Sequence, residues 1–241
     1  MEHSTRADAV RSEAAALATA AEAAGPTAPV PTCPGWDVAE LVGHLGVVHR
    51  WARSVLAGSP AFPAVEVPDG PQRPDWLRLG ASDLADALAA SDPGEPAWSW
   101  TDDHTVGFWA RRQAAETAVH RIDAQLAAAA VGAGAVEPVD RELAVDDIDE
   151  FLGMLTARRE APVLPATGTV HLHCTDGEGE WLVRLDGGRP VVTREHAKGD
   201  VALRGTASDL LLVVYGRLPL DAVETFGDPD LARTFVAALS W

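Results

Sequence analysis

The sequence predicts an α+β protein, in which a helical bundle occupies the first two thirds and a small α+β domain with an antiparallel sheet follows. Apolar residues recur at steps of three and four up to about residue 160, which is the period of buried helical faces. Short β-rich stretches separated by Asp-Gly turns come after that point. The length of 241 residues fits one or two domains. We therefore expect domains at 1–160 and 161–241.

The first two helices have clear boundary signals. An Ala-rich segment from about Thr5 to Ala24 is stopped by Gly25-Pro26. Asp37 with Glu40 three residues later has the form of a capping box, so a second helix should begin there. Gly-Ser-Pro at 58–60 ends it.

The next segment, 59–75, is rich in proline, which predicts a long loop. Ser82 or Asp83 can cap a short helix after this loop. Two longer amphipathic helices are expected at about 107–130 and 141–158. The first domain therefore contains four or five helices.

The second domain begins with short segments of strand character. Because Asp-Gly turns separate successive segments, we expect a meander of antiparallel strands. An apolar run and a final helix-like segment complete the domain. The four strand segments are 169–174, 181–185, 190–193 and 201–204, the apolar run is 209–215, and the last segment is 231–239.

Charge and cysteine usage exclude several classes of function. Lys and Arg total 19 against 36 Asp and Glu, and the net charge of −17 opposes binding to nucleic acid or anionic lipid. The acidic start does not resemble a secretory leader, and no run of about 18 apolar residues occurs. Cys33 and Cys174 fit neither a disulfide framework nor a metal-binding motif. We expect a cytoplasmic protein with no nucleic-acid or membrane partner.

Three side chains on two predicted helices form the first candidate site. Glu116 and His120 are four residues apart, so they project from the same side of the 107–130 helix. His44 lies among the apolar positions of the helix that begins after Asp37, so it should point into the bundle. If the two helices are neighbours, the three side chains converge. Two histidines and one carboxylate are a ligand set of catalytic zinc sites, which keep a fourth position open.

Simpler explanations of these residues stay open. A Glu–His pair at this spacing is usually an exposed polar pair, and a lone inward histidine is usually hydrogen-bonded in a core. Asp123, three residues after His120, either orients that histidine or is a solvated acid. We expect His49 and His104 at the surface or in a loop.

Other residues offer weaker signals. His171 and His173 share one face of a predicted strand and form a rival metal pair, but the sequence shows no evident third ligand nearby. Cys33 precedes Pro34-Gly35 near a helix start, where a thiolate can be stabilised, although a small apolar filler is the simpler interpretation. Five tryptophans are expected in the core or in pocket walls: Trp36, Trp51, Trp98, Trp100 and Trp109. The sequence has no nucleophile elbow, P-loop, dinucleotide-binding or H-E-x-x-H motif.

Two segments resemble a known family. PTCPGWDVAELVGHL at 31–45 and RQAAETAVHRIDA at 112–124 are similar to the mycothiol-dependent maleylpyruvate isomerase family of actinobacteria. The resemblance implies a DinB-like four-helix metal-binding bundle in the N-terminal part. It also implies a sterol-carrier-like α+β domain from about residue 163 onward.

The resemblance implies roles for particular residues. It places a divalent metal, usually zinc, on His44, Glu116 and His120. A family arginine near the metal is best matched here by Arg217. The implied cofactors are the metal and mycothiol, and the implied substrate is a small electrophile.

The chemistry implied by the resemblance begins with a thiol that loses its proton at the metal. The thiolate adds to an activated cis double bond, the resulting single bond rotates, and the thiolate leaves to give the trans product. An arginine would bind a substrate carboxylate. Maleylpyruvate-type isomerisation and thiol transfer to another electrophile both remain open.

The alternative is a non-catalytic module that binds metal for stability or holds an apolar ligand. A fourth protein ligand, such as His49 or Asp123, would close the metal site and favour this structural role.

Overall fold

The chain divides into two compact units, Met1–Glu137 and Pro138–Trp241. The structure, a computed structural model, describes residues 1–157 and 166–239. The expected domain boundary at residue 160 and the expected helix end at 158 lie outside the described residues. The division after Glu137 differs from the expected one because the fifth helix packs against elements of the second unit.

The first unit is a bundle of four α-helices, as predicted. They are α1 (His3–Ala24), α2 (Val38–Leu56), α3 (Arg73–Ala90) and α4 (Val106–Ala130). Helices α1 and α2 each pack against both α3 and α4. Leu17, Leu41, Leu45 and Leu77 are fully buried at these interfaces. The contact between α2 and α4 is the adjacency that a shared site requires.

Helix α3 is longer than the sequence indicated. It begins at Arg73, with a proline in its first turn, where the missing N–H of proline costs no hydrogen bond. Ser82 and Asp83 therefore lie inside the helix and cap nothing. The predicted loop over 59–75 is therefore too long, because Pro74 lies in the first turn of the helix and does not interrupt it.

The second unit combines three α-helices and five strands among its described residues. Helix α5 (Arg141–Ala157) leads into β1 (Thr167–Cys174), β2 (Glu180–Asp186), β3 (Val191–Thr193) and β4 (Val201–Gly205). Helix α6 (Ala207–Val214), strand β5 (Glu224–Gly227) and helix α7 (Pro229–Leu239) follow. The apolar run expected at 209–215 is thus mostly α6.

The five-stranded sheet has the order β3-β2-β1-β4-β5. Strands β1, β2 and β3 form the expected antiparallel meander, but β4 pairs with β1 and runs parallel to it. The prediction of a fully antiparallel sheet is therefore wrong at β4, because the chain crosses back over the meander before adding that strand. Strand β5 was not expected, since all four of its residues are exposed and show no alternation.

The two faces of the sheet differ in polarity. Val170, Leu172 and Trp181 are buried on the face that the helices cover, and Trp181 Nε1 donates a hydrogen bond to Asp149 of α5 at 2.6 Å. His171 and His173 point from the other face, because side chains alternate along a strand. No helix in the described residues has the length and hydropathy that crossing a bilayer requires.

Candidate metal centre

A tight loop before α2 supplies one side of the candidate site. Val30 N–H donates to the Trp36 carbonyl at 2.9 Å, and Trp36 N–H donates to the Cys33 carbonyl at 3.0 Å. Gly35 has φ +86°, a conformation that a residue with a Cβ rarely adopts. The motif P-G-W thus closes the loop and fixes the positions of Cys33 and Trp36.

The capping box predicted at Asp37 and Glu40 is present. Glu40 N–H donates to Asp37 Oδ1 and Asp37 N–H donates to Glu40 Oε2, both at 2.8 Å. The box starts α2 at Val38 and so sets the rotation at which His44 leaves the helix two turns later.

His44, Glu116 and His120 converge between α2 and α4. Each offers one ligand atom, and these atoms lie within 4.8 Å of one another. Glu116 Oε1 is 3.6 Å from His44 Nε2 and 3.3 Å from His120 Nε2. Two donors held about 2.1 Å from one tetrahedral ion lie about 3.4 Å apart. The spacing and the N,N,O donor set therefore fit a divalent metal ion such as zinc.

Arg112 contacts the other oxygen of Glu116. The Arg112 guanidinium donates to Glu116 Oε2 from one helical turn earlier on α4. This contact leaves Oε1 as the oxygen that faces both histidines. The side chain of Glu116 is 19% exposed, so it is not fully shielded from solvent.

Asp123 contacts His120 from the side opposite Glu116. His120 Nδ1 lies 2.9 Å from Asp123 Oδ2, and Thr32 Oγ1 donates to Asp123 Oδ1 at 2.5 Å. Asp123 is fully buried, so it is not a solvated acid. A hydrogen bond from Nδ1–H to Asp123 leaves the lone pair of His120 on Nε2, which faces Glu116.

His44 sits at the edge of the apolar face of α2 and is 36% exposed at its side chain. The sequence predicted that His44 points into the bundle, but its side chain is partly exposed to solvent. Burial, and secondarily the charge of His120, lowers its pKa to about 4 from the ordinary 6.5. His44 is thus a neutral imidazole near pH 7 and offers a lone pair. The Trp36 ring, centred 4.9 Å from the His44 ring and 6.4 Å from the His120 ring, forms an apolar wall of the site.

His49 was expected at the surface, and this prediction is wrong. It is fully buried and its Nε2 lies 2.9 Å from Thr117 Oγ1 of α4. It belongs to none of the ligand clusters found among the described residues. His104 is exposed, as expected.

Cys33 offers a rival ligand set with His120 and Asp123. Its Sγ lies 3.5 Å from Asp123 Oδ2, so Cys33 is more than an apolar filler. This set uses the Nδ1 side of His120, whereas the set with His44 and Glu116 uses the Nε2 side.

The remaining predicted residues lie elsewhere. Arg217 belongs to the second unit, just after α6, where its guanidinium donates to the Tyr215 carbonyl at 2.8 Å. His171 and His173 are accompanied by Glu180 and His196, which the sequence did not bring to notice. Of the tryptophans, Trp109 is fully buried, whereas Trp98 and Trp100 are partly exposed in an aromatic cluster with Trp51.

The sequence did not predict the contacts that Arg112, Thr32 and Trp36 make at the site. Arg112 had a usable signal, since it lies four residues before Glu116 on the same helix. No sequence signal beyond the family resemblance indicated the contacts of Thr32 and Trp36, because their positions depend on how the loop folds back against α4.

Fold and donor set together define a protein with a candidate metal site in a four-helix bundle, joined to an α+β domain. A family model described as the mycothiol maleylpyruvate isomerase N-terminal domain matches residues 7–125. A model described as the MDMPI C-terminal domain matches residues 142–234. The chain belongs to the mycothiol-dependent maleylpyruvate isomerase family, a family of enzymes, as its motifs had indicated.

Solved structures show the same fold. A crystal structure of the mycothiol-dependent maleylpyruvate isomerase has a TM-score of 0.55 to this chain, and one of a histidine-to-alanine mutant of that enzyme has 0.57. Each is 12% identical and covers 93% of this chain and 93% of its own. No curated protein matches the sequence.

Proposed function

We propose that this protein is a divalent-metal-dependent enzyme that uses mycothiol to isomerise, or to transfer the thiol to, a small electrophilic substrate. Maleylpyruvate-type cis–trans isomerisation is the family model for the reaction. The observation that carries the proposal is the convergence of His44 Nε2, Glu116 Oε1 and His120 Nε2 at distances suited to one ion. We propose zinc as the metal, because two imidazoles and one carboxylate are a common zinc ligand set.

The protein's own side chains prepare this site for a metal. His44 stays neutral, Arg112 directs one oxygen of Glu116 toward the histidines, and Asp123 fixes the tautomer of His120. A divalent ion held there would favour the thiolate form of a thiol in its open position.

Access and polarity support a catalytic role over a purely structural one. Three donors leave a position for an external ligand, and partial exposure of His44 and Glu116 gives that ligand a route. The flanking Trp36 ring lowers the polarity around the site, which strengthens electrostatic interactions within it.

Arg217 is proposed to bind a carboxylate of the substrate. A guanidinium can pair with a carboxylate through two parallel hydrogen bonds. An Arg217→Lys variant would keep the charge but lose this geometry, so we expect a higher KM for a carboxylate substrate with metal content unchanged. We also propose a cytoplasmic location, because neither cysteine is in a disulfide.

The test is an activity assay with maleylpyruvate and with other small electrophiles, in the presence and absence of mycothiol and zinc. We expect turnover that requires both and that is lost in His44→Ala, Glu116→Gln and His120→Ala. His104→Ala replaces an exposed histidine outside the site and should retain full activity. Zinc binding without any thiol-dependent turnover would instead support the non-catalytic alternative.

A further inference from the structure

The sheet face that carries His171 and His173 holds a second group of metal-type ligands, far from the first in sequence and in the other unit. His171 and His173 are two residues apart on β1, so their side chains lie on the same face of the sheet. Their ring centres are 5.8 Å apart. Glu180 of β2 pairs directly with His173 in the antiparallel ladder. Strand register alone therefore brings two imidazoles and one carboxylate together.

A fourth ligand comes from the segment that crosses the sheet. Strand β3 ends level with Leu182 and β4 starts level with Val170, so residues 194–200 must pass over β2 and β1. His196 lies in this crossing segment. Its ring centre is 5.8 Å from that of His171 and 6.2 Å from that of His173.

Glu180 is the centre of the group. Its Oε2 lies 2.9 Å from His171 Nε2 and 2.6 Å from His196 Nδ1, and its Oε1 lies 3.3 Å from His173 Nδ1. One ligand atom from each of the four residues lies within 4.8 Å of all the others. Three imidazoles around one carboxylate form a donor set that late divalent metals such as zinc prefer.

We propose that His171, His173, Glu180 and His196 bind a second divalent transition-metal ion, with zinc as the first candidate. Four protein donors complete a tetrahedral shell, so this site is closed and structural, unlike the three-donor site of the first unit. The ion would bind the crossing segment to strands β1 and β2 through His196.

Neighbouring contacts already hold both ends of the crossing segment. Arg184 of β2 donates to Glu195 Oε1 at 2.7 Å, and Asp200 Oδ2 accepts from the backbone N–H and the hydroxyl of Thr169 at 2.8 Å each. His196 is the residue between these anchors that reaches the β1–β2 pair. A metal there would fix the middle of the segment and so stabilise the pairing of β4 with β1.

The burial of the group agrees with metal binding. His171 is buried, so its ring is held in place beside Glu180. The His196 side chain is 80% exposed, so its ring can adjust to the ion without disturbing the core.

The test measures the zinc content of the 241-residue protein by elemental analysis, after the protein has been stripped with a chelator and dialysed against zinc. We expect His196→Ala and Glu180→Gln to bind one equivalent less than wild type. The same variants should lose part of the zinc-dependent rise in Tm. Lys198→Ala, an exposed change in the same crossing segment, is the matched control and should behave as wild type.

A second comparison separates this site from the one in the first unit. In a His44→Ala, His120→Ala background, one zinc should remain and should disappear on adding His196→Ala. An unchanged zinc content and Tm shift in both His196→Ala and Glu180→Gln would overturn the proposal, whatever the first site does. Since His196 is exposed, loss of folding does not explain a loss of metal in that variant, and circular dichroism checks this.

Discussion

His120 and Asp123 lie within one turn of α4, and the buried carboxylate of Asp123 accepts from His120 Nδ1 at 2.9 Å while Thr32 holds its other oxygen. This contact presents Nε2 of His120 to Glu116 and His44. We therefore propose that Asp123 acts on the metal through His120.

Removing the charge of Asp123 should weaken zinc binding without removing a ligand. We expect Asp123→Asn to lower zinc affinity by about 10–100-fold, the usual effect of losing a carboxylate behind a metal-bound histidine. Competition with a chromophoric chelator measures this affinity. Asp102→Asn, an exposed acid on the same unit, is the control. Equal affinity in the Asp123 variant and wild type would remove the orienting role.

Replacing Cys33 distinguishes the two ligand sets that share His120. If His44, Glu116 and His120 hold the metal, Cys33→Ser should retain it, because the thiol lies on the Nδ1 side of His120. If Cys33 and Asp123 are ligands, the same variant should lose most of its zinc and His44→Ala should keep it. Cobalt substitution reports the difference, since a thiolate ligand gives an intense near-ultraviolet band that imidazole and carboxylate do not.

Burial of His49 should make the protein less stable in mild acid. Burial, with the charges of Arg50, His120 and His44, lowers the pKa of His49 to about 3 from 6.5. Between these values the unfolded chain takes up a proton that the folded chain does not bind. The free energy of unfolding therefore decreases as pH falls through this window, with a limiting slope of about 1.4 kcal/mol per pH unit.

Urea unfolding of wild type and His49→Gln at several pH values from about 7.5 to 5 measures this effect. The glutamine can still bond to Thr117 but does not titrate, so its pH dependence should be shallower. His44, whose pKa is also lowered, leaves a residual slope of the same sign. His104→Gln, exposed, should follow wild type. A variant slope as steep as that of wild type would contradict the account of His49.

Glycine at position 46, which has no side chain, allows α2 to pack against Trp76 of α3. A Cβ placed on Gly46 would overlap the ring of Trp76, over which Arg50 stacks at 3.7 Å. Gly46→Ala should therefore destabilise the protein by about 1–3 kcal/mol, in spite of the better helix propensity of alanine. Gly153→Ala on α5 meets nothing within 4 Å and should be neutral or stabilising. Chemical denaturation of both variants tests the contrast.

Features that depend on a short stretch of chain were predictable from the sequence. Asp37 and Glu40 identify the start of α2 because both partners of the capping box lie within one turn. The spacing of Glu116 and His120 places them on one side of α4 for the same reason. The Asp-Gly turns likewise separate the strands of the β1–β2–β3 meander.

Features that depend on distant parts of the chain were not predictable in this way. The parallel pairing of β4 with β1 follows from the crossing segment, whose path no local pattern encodes. His49 is buried where α2 packs against α4, next to Thr117. His196 approaches Glu180 because the strand order takes residues 194–200 across the sheet. The contact between α2 and α4, on which the site depends, likewise joins parts of the chain that are far apart in sequence.

The most direct test of the central claim is an anomalous difference map at the zinc edge, from crystals grown with zinc. We expect a peak about 2.0–2.2 Å from His44 Nε2, Glu116 Oε1 and His120 Nε2. A peak beside Cys33 and Asp123 instead, or no peak within reach of His44 and Glu116 in zinc-saturated crystals, would contradict a metal site on these three residues.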